Sequence, residues 1–200
     1  FTEGYYYKPR IDLEVLEKYH EGLIVLSGCL AGAVNRALLE GQTEKAEEIA
    51  LWHKNVFGED YYIEIQNNGI REQVLANQKL IQLAKKLNIP LVATNDAHYL
   101  KKEDAYNHEI LLCIQTGKRM SDEDRMKFET DELYIKSPEE MSEYFSAFPD
   151  AIENTVKIAD KCNVEFEFGH TILPNYDVPK EYPTHYDFLK KLCDDGLKQR

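Results

Sequence analysis

Between Leu23 and His98 the chain passes three times from a short apolar run to a helical stretch or turn, and this alternation confines it to few folds. Leu23-Ile24-Val25-Leu26 meets Ser27-Gly28-Cys29, a strand entering a tight turn. Ala31 to Leu39 reads as a helix stopped by Gly41. Thr43 to Phe57 reads as another, with Ile49, Ala50, Trp52, His53 and Val56 near one face and Gly58 closing it. Tyr61 to Gln66 is the second strand, with Tyr62, Glu64 and Gln66 on one face and Tyr61, Ile63 and Ile65 on the other. After the turn signal Asn67-Asn68-Gly69, residues Glu72 to Leu87 place Leu75, Leu80, Leu83, Ala84 and Leu87 at helical spacing, and Asn88 ends the run. Leu91 to Thr94 is the third strand. Strands alternating with helices of this length pair in parallel through crossover helices, so the predicted class is α/β. Three strands do not close a barrel, since small barrels need more than twice that number. The pattern therefore predicts part of a larger barrel, with its N-terminal part missing. The chain starts at Phe1 and stops at Arg200 inside a helical pattern, and both ends read as cuts in a longer polypeptide.

Parallel strands bring their C-terminal ends to one rim, and in β/α barrels that rim carries the chemistry. Four potential metal donors fall there: Cys29 after the first strand, Glu64 within the second, and Asp96 and His98 after the third. If the backbone stays extended through Asp96-Ala97-His98, positions i and i+2 point the same way and a carboxylate and an imidazole converge. Thiolate, carboxylate and imidazole suit a borderline metal such as zinc or manganese, which lowers the pKa of a bound water and yields a hydroxide able to attack phosphorus or carbonyl carbon. Each residue also has a plainer role. Cys29 reads equally as a small residue buried beside a glycine turn. Glu64 reads as a solvent-facing residue or an inner carboxylate paired with a lysine, Asp96 as a helix cap, and His98 as a hydrogen-bonded structural histidine.

Beyond His98 the character changes. Asp104 to Ile114 reads as a helix ending near Gly117, and Gly117 to Thr130 as a charged loop. Tyr134-Ile135 is a candidate short strand. Ser137-Pro138-Glu139-Glu140 and Phe148-Pro149-Asp150 are helix starts, the second feeding a helix to Lys161. Gly169 to Pro183 is a connector, and a helix runs from Tyr186 onward. Among the other histidines, His53 is expected to pack within its helix and His20, His170 and His185 to be solvated. His108 sits near a helix start, where the dipole would lower its pKa. The net charge of −12, from 36 acidic and 24 basic side chains, argues against a large nucleic-acid-gripping surface, because phosphate binding needs clustered cations. The four cysteines, Cys29, Cys113, Cys162 and Cys193, show no Cys-x-x-Cys spacing, so neither a disulfide framework nor a zinc ribbon is indicated, and a reducing cytoplasmic setting is the simplest reading. No apolar run approaches membrane-spanning length.

The runs Gly4-Tyr-Tyr-Tyr-Lys-Pro-Arg-Ile-Asp12, Gly22-Leu-Ile-Val-Leu-Ser-Gly-Cys-Leu-Ala-Gly32, Tyr61-Tyr-Ile-Glu-Ile-Gln66, Val92-Ala-Thr-Asn-Asp-Ala-His-Tyr99 and His108-Glu-Ile-Leu-Leu-Cys-Ile-Gln-Thr-Gly117 resemble the alpha subunits of bacterial DNA polymerase III within their PHP (polymerase and histidinol phosphatase) domain. Asn154-Thr-Val-Lys-Ile-Ala-Asp-Lys-Cys-Asn163 and Leu173-Pro-Asn-Tyr-Asp-Val-Pro179 resemble the same subunits at the junction toward the polymerase core. The resemblance implies the C-terminal part of a distorted seven-stranded PHP barrel over 1–168, and a connector with the start of the polymerase core over 169–200. It implies a parent that extends a primer with deoxynucleotides on a DNA template, uses magnesium, and works with the other replicative holoenzyme subunits. It further implies a metal-binding PHP module of 3′–5′ exonuclease or phosphoesterase type, taking zinc, manganese or magnesium. Asp96 and His98 match the last metal-ligand motif of the family and Cys29 a ligand position, with Glu64 the least secure. The opening His-x-His motif would lie before Phe1 and the polymerase aspartates after Arg200, so the chain alone is expected neither to polymerise DNA nor to hold a full metal cluster. Two other readings stand beside this one: a non-catalytic scaffold of the polymerase, and a standalone metal-dependent phosphoesterase such as a histidinol phosphatase.

Overall fold

The three apolar runs pair side by side in the computed structural model, which describes residues 4–171 and 173–200. At the N-terminus, β1 (Tyr5–Tyr6) and β2 (Lys8–Pro9) make a short exposed antiparallel hairpin around Tyr7, followed by α1 (Leu13–Lys18), capped by the Asp12 carboxylate. β3 (Val25–Leu26) is shorter than the predicted run from Leu23. Then come α2 (Ala33–Leu39), α3 (Thr43–Phe57), β4 (Tyr61–Gln66), α4 (Arg71–Leu87) and β5 (Leu91–Thr94). The sheet order is β3-β4-β5, all parallel, with Val25 opposite Tyr61 and Gln66 opposite Thr94. This is the predicted α/β architecture, a parallel sheet with crossover helices of the kind that forms part of a barrel.

β4 is the central strand, and the alternation read from its sequence does not divide core from water. Tyr61, Ile63 and Ile65 are buried on one face and Tyr62 and Gln66 on the other, while Glu64 alone is half-buried. A parallel strand covered on both faces behaves this way. α4 lies against it with Ala76, Leu80, Leu83 and Ala84 buried. Leu75, expected on that face, is exposed. The stripe follows 76, 80, 83 and 87 at steps of four, three and four, and a residue one position away is rotated about 100° off it. Leu80 and Ile63 are fully buried, each stabilising the fold by about 1.5–3 kcal/mol of apolar transfer.

After the rim come a 3-10 turn (Lys102–Asp104), α5 (Ala105–Thr116), α6 (Pro138–Tyr144) and α7 (Pro149–Lys161). Ser137 and Glu140 form a capping box at the predicted start of α6. α7 packs on β5, where the Asn154 amide donates to the Leu91 carbonyl at 2.8 Å. Residues 118–136 carry no helix or ladder strand, but Tyr134 pairs in parallel with Tyr99 as a single bridge.

The chain divides into two compact units, Phe1–Cys162 and Asn163–Arg200. In the second, α8 (His185–Gln199) is capped by the Thr184 hydroxyl, which accepts from the Asp187 N–H. Its Phe188 ring lies 6.0 Å from that of Tyr176 and 4.9 Å from that of Tyr182.

Candidate functional site at the strand ends

The turn carrying Cys29 is built from below. Ser27 follows β3, and its hydroxyl accepts the Glu64 N–H at 2.9 Å. The buried Asn35 of α2 donates its amide to the Gly28 carbonyl at 3.0 Å and the Cys29 carbonyl at 2.8 Å. Gly32 closes the turn with an N–H bond to the Cys29 carbonyl, and a Cβ there would stand 2.4 Å from the Ser27 carbonyl oxygen, so only glycine fits. This leaves the Cys29 side chain exposed, which overturns its reading as a small buried residue.

Glu64 sits at the middle of the sheet's rim. One carboxylate oxygen accepts the Gly28 N–H at 3.1 Å; the other accepts the Gln66 amide at 3.0 Å and the Thr94 hydroxyl. No lysine is among these partners, unlike the paired-carboxylate reading.

Asp96 and His98 do meet, though not by strand alternation. β5 ends at Thr94, and Asp96 has φ +57°, the left-handed region that aspartate tolerates better than most residues. The chain turns there, and the Asp96 carbonyl accepts from His98 Nδ1 at 2.8 Å, with a carboxylate oxygen 3.9 Å from the same nitrogen. A carbonyl oxygen only accepts, so Nδ1 carries the ring proton and the Nε2 lone pair is left for a ligand. The other carboxylate oxygen accepts from the buried Asn68 amide at 3.4 Å.

Segment 133–136 lies along this turn. The His98 N–H donates to the Leu133 carbonyl at 2.7 Å, and Asn95 fixes the pair in both directions, donating to the Tyr134 carbonyl and accepting the Lys136 N–H, each at 2.7 Å. Sequence reasoning missed Asn95 and Asn35. The only local signal was a polar amide beside an apolar strand or on a helix, and its partner in the first case is some 40 positions away.

The His98 ring is 5.1 Å from that of Phe128 and 5.6 Å from that of His108, which stacks on Phe128 at 5.7 Å. A cavity of about 200 Å³ beside them is lined by Tyr99, Tyr106, His108, Glu109 and Phe128. The His108 pKa is lowered, chiefly by burial and then by the His98 charge.

The rim thus brings Asp96 to His98, and Glu64 to the turn before Cys29. Among the described residues, no group of three or more His, Cys, Asp and Glu side chains stands where it could hold a metal ion. A catalytic zinc takes three protein ligands and a structural zinc four. The described residues do not by themselves make up such a centre.

Comparison with known proteins agrees with this topology. Residues 1–68 match the PHP domain family. Together with the parallel βα steps, this match is consistent with a partial PHP-type α/β barrel. Over its full length it is 47% identical to the DNA polymerase III subunit alpha of Borreliella burgdorferi and 45% identical to that of Treponema pallidum, with 100% of the chain aligned in each case. The corresponding subunit of Thermus aquaticus is 40% identical, again over 100% of the chain. The chain spans 18%, 17% and 17% of these relatives respectively. Over the stretch it spans, it is similar to the bacterial DNA polymerase III alpha subunits. No helix among the described residues is long and apolar enough to cross a membrane.

Proposed function

We propose that this chain is a segment of a replicative DNA polymerase III alpha subunit, with 1–168 forming the later part of the PHP domain and 169–200 the connector and the start of the polymerase core. The observation that carries this reading is the 47% identity sustained over every residue of the chain. The parent subunit would extend DNA primers with deoxynucleotides using magnesium, in the cytoplasm, among the other holoenzyme subunits. Within it, Asp96 and His98 would act as one donor pair for a divalent ion, zinc, manganese or magnesium, with further donors from elsewhere in the subunit, in an exonuclease or phosphoesterase module. Support for the pair comes from the fixed Nδ1 proton of His98 and the carboxylate beside it. A second reading, a scaffold that braces the polymerase without chemistry of its own, draws support from Glu64, whose two oxygens are occupied by hydrogen bonds.

Metal analysis of the full-length subunit tests the first reading, using the purified wild type beside Asp96→Ala and His98→Ala. Bound metal in the wild type, lost in both variants together with any 3′–5′ nuclease activity, is the expected result. A subunit that holds no metal, or variants that lose folding with no nuclease to begin with, would leave the scaffold.

A further inference from the structure

We infer that Glu64 is a positioning residue and not a metal donor: its carboxylate latches the Cys29 turn and the end of β5 onto β4. The latch itself does not depend on a metal; only the statement that Glu64 is no donor rests on the reading above. Three donors from three neighbouring strand ends converge on this one carboxylate. They are the Gly28 N–H at 3.1 Å, the Gln66 amide at 3.0 Å and the Thr94 hydroxyl. The backbone adds a reciprocal tie, because the Glu64 N–H donates to the Ser27 hydroxyl just before Gly28. A carboxylate has room for about four hydrogen bonds, and three are taken.

The orientation of Gln66 follows from the same arrangement. Its Nε2 donates to Glu64 and, at 3.2 Å, to the Thr94 hydroxyl oxygen, while its own Oε1 is buried without a partner. The amide is held in a costly orientation because Glu64 can only accept. Glutamine at position 64 would remove that constraint. Its Oε1 can still accept the Gly28 N–H, and its Nε2 would face the Thr94 hydroxyl and the Gln66 amide. A flip of Gln66 then offers Oε1 where its Nε2 now stands, and the Thr94 hydroxyl turns to accept. Every bond of the latch survives without the negative charge, whereas a metal donor at this position needs the charge.

The test uses the full-length subunit as wild type, Glu64→Gln, Glu64→Ala and Thr94→Val. Three quantities are read: amide hydrogen exchange of the peptide spanning 27–29, the rate of Cys29 alkylation resolved by mass spectrometry, and bound divalent metal. Glu64→Ala should raise exchange and change the alkylation rate by about tenfold, the scale of one lost hydrogen bond to a charged acceptor. Thr94→Val, which removes one donor and keeps the carboxylate, should fall between; it decides the matter if the alanine variant does not fold. Glu64→Gln should stay within about twofold of wild type in exchange and alkylation, and keep whatever metal the wild type holds. Glu64→Gln that loses metal while its turn stays protected would make Glu64 a donor. Alanine and valine variants as protected as wild type, or a glutamine variant as exposed as alanine, would remove the latch. A wild type without metal would defeat the metal reading alone, since exchange and alkylation still decide the latch.

Discussion

Aspartate in place of Asn35 should damage the fold far more than alanine, although it alters fewer atoms. Asn35 is fully buried; its Nδ2 donates to the Gly28 and Cys29 carbonyls at 3.0 and 2.8 Å, and its Oδ1 has no partner. Alanine forfeits two bonds of about 1 kcal/mol each, but also removes a buried acceptor whose unmet bonding costs about 1–3 kcal/mol. Gly28 is half-buried and Cys29 exposed, so water reaches the freed carbonyls. The polar terms nearly cancel, and Asn35→Ala should cost about 1–2 kcal/mol, mostly from lost packing. Aspartate instead turns an oxygen toward the two carbonyl oxygens and leaves the other where Oδ1 already lacks a partner. A buried charge left uncompensated costs about 3–5 kcal/mol. The gap between the variants should therefore be about 2–3 kcal/mol at neutral pH. It should narrow on acidification, because burial favours the protonated acid and that form can donate one bond. Urea unfolding followed by the fluorescence of Trp52, the sole tryptophan, whose ring lies 6.5 Å from that of Phe57, measures both variants. Equal midpoints at neutral pH would refute this account of the turn, as would a gap that ignores pH.

Three further outcomes follow from packing, backbone and charge. Leu80→Ala, at a fully buried site between α4 and the sheet, should cost about 2–5 kcal/mol by calorimetry. Asp96→Val should lose more than about 1 kcal/mol because a β-branched residue resists φ +57°, whereas Asp96→Gly should unfold no more easily than wild type in urea. The Glu132 carboxyl is held below its ordinary value of 4.5, first by its bond to Lys102 and also by the Tyr144 hydroxyl and the charge of Lys136. A depressed carboxylate pKa gives stability that is complete above 4.5 and is lost as pH falls through the lowered native value. Glu132→Gln should therefore flatten the acid limb of a stability titration; an unchanged limb would show that the pair contributes nothing there.

How much could be read from the chain alone depended on how local the cause was. Helices ended by Gly58, Asn88 and Gly117, or begun by Ser137, fall within a residue or two of their expected positions, because caps and left-handed stops act over a few residues. β4 and β5 matched their apolar runs. The meeting of Asp96 with His98 was anticipated for the wrong reason. Period-two alternation assumes that the strand continues, but the chain turns at Asp96, whose φ is positive, while Asn95, His98 and Tyr99 on either side of it pair with residues 133–136. Nothing near Asp96 in sequence records that pairing. The same holds for Glu64: alternation gave its face, but the identity of its partners depends on how three strand ends align.

The charge balance limits what the rim can do from the other side. A phosphate backbone needs free cations, and many of this chain's cations already face carboxylates. Lys86 pairs with Glu47 at 2.6 Å, Lys118 with Asp124 at 2.6 Å, Arg125 with Glu109 at 2.5 Å and Lys161 with Asp60 at 2.8 Å. Glu109, which pairs with Arg125, lines the aromatic cavity next to His98, so that cation is neutralised in place. Each such pair would have to open before its cation could meet a phosphate, and the surrounding net charge of −12 opposes the approach. This segment therefore offers a phosphate little attraction; what its rim provides is shape, with the His98 N–H tied to the Leu133 carbonyl and the Asp96 carbonyl accepting from the His98 ring.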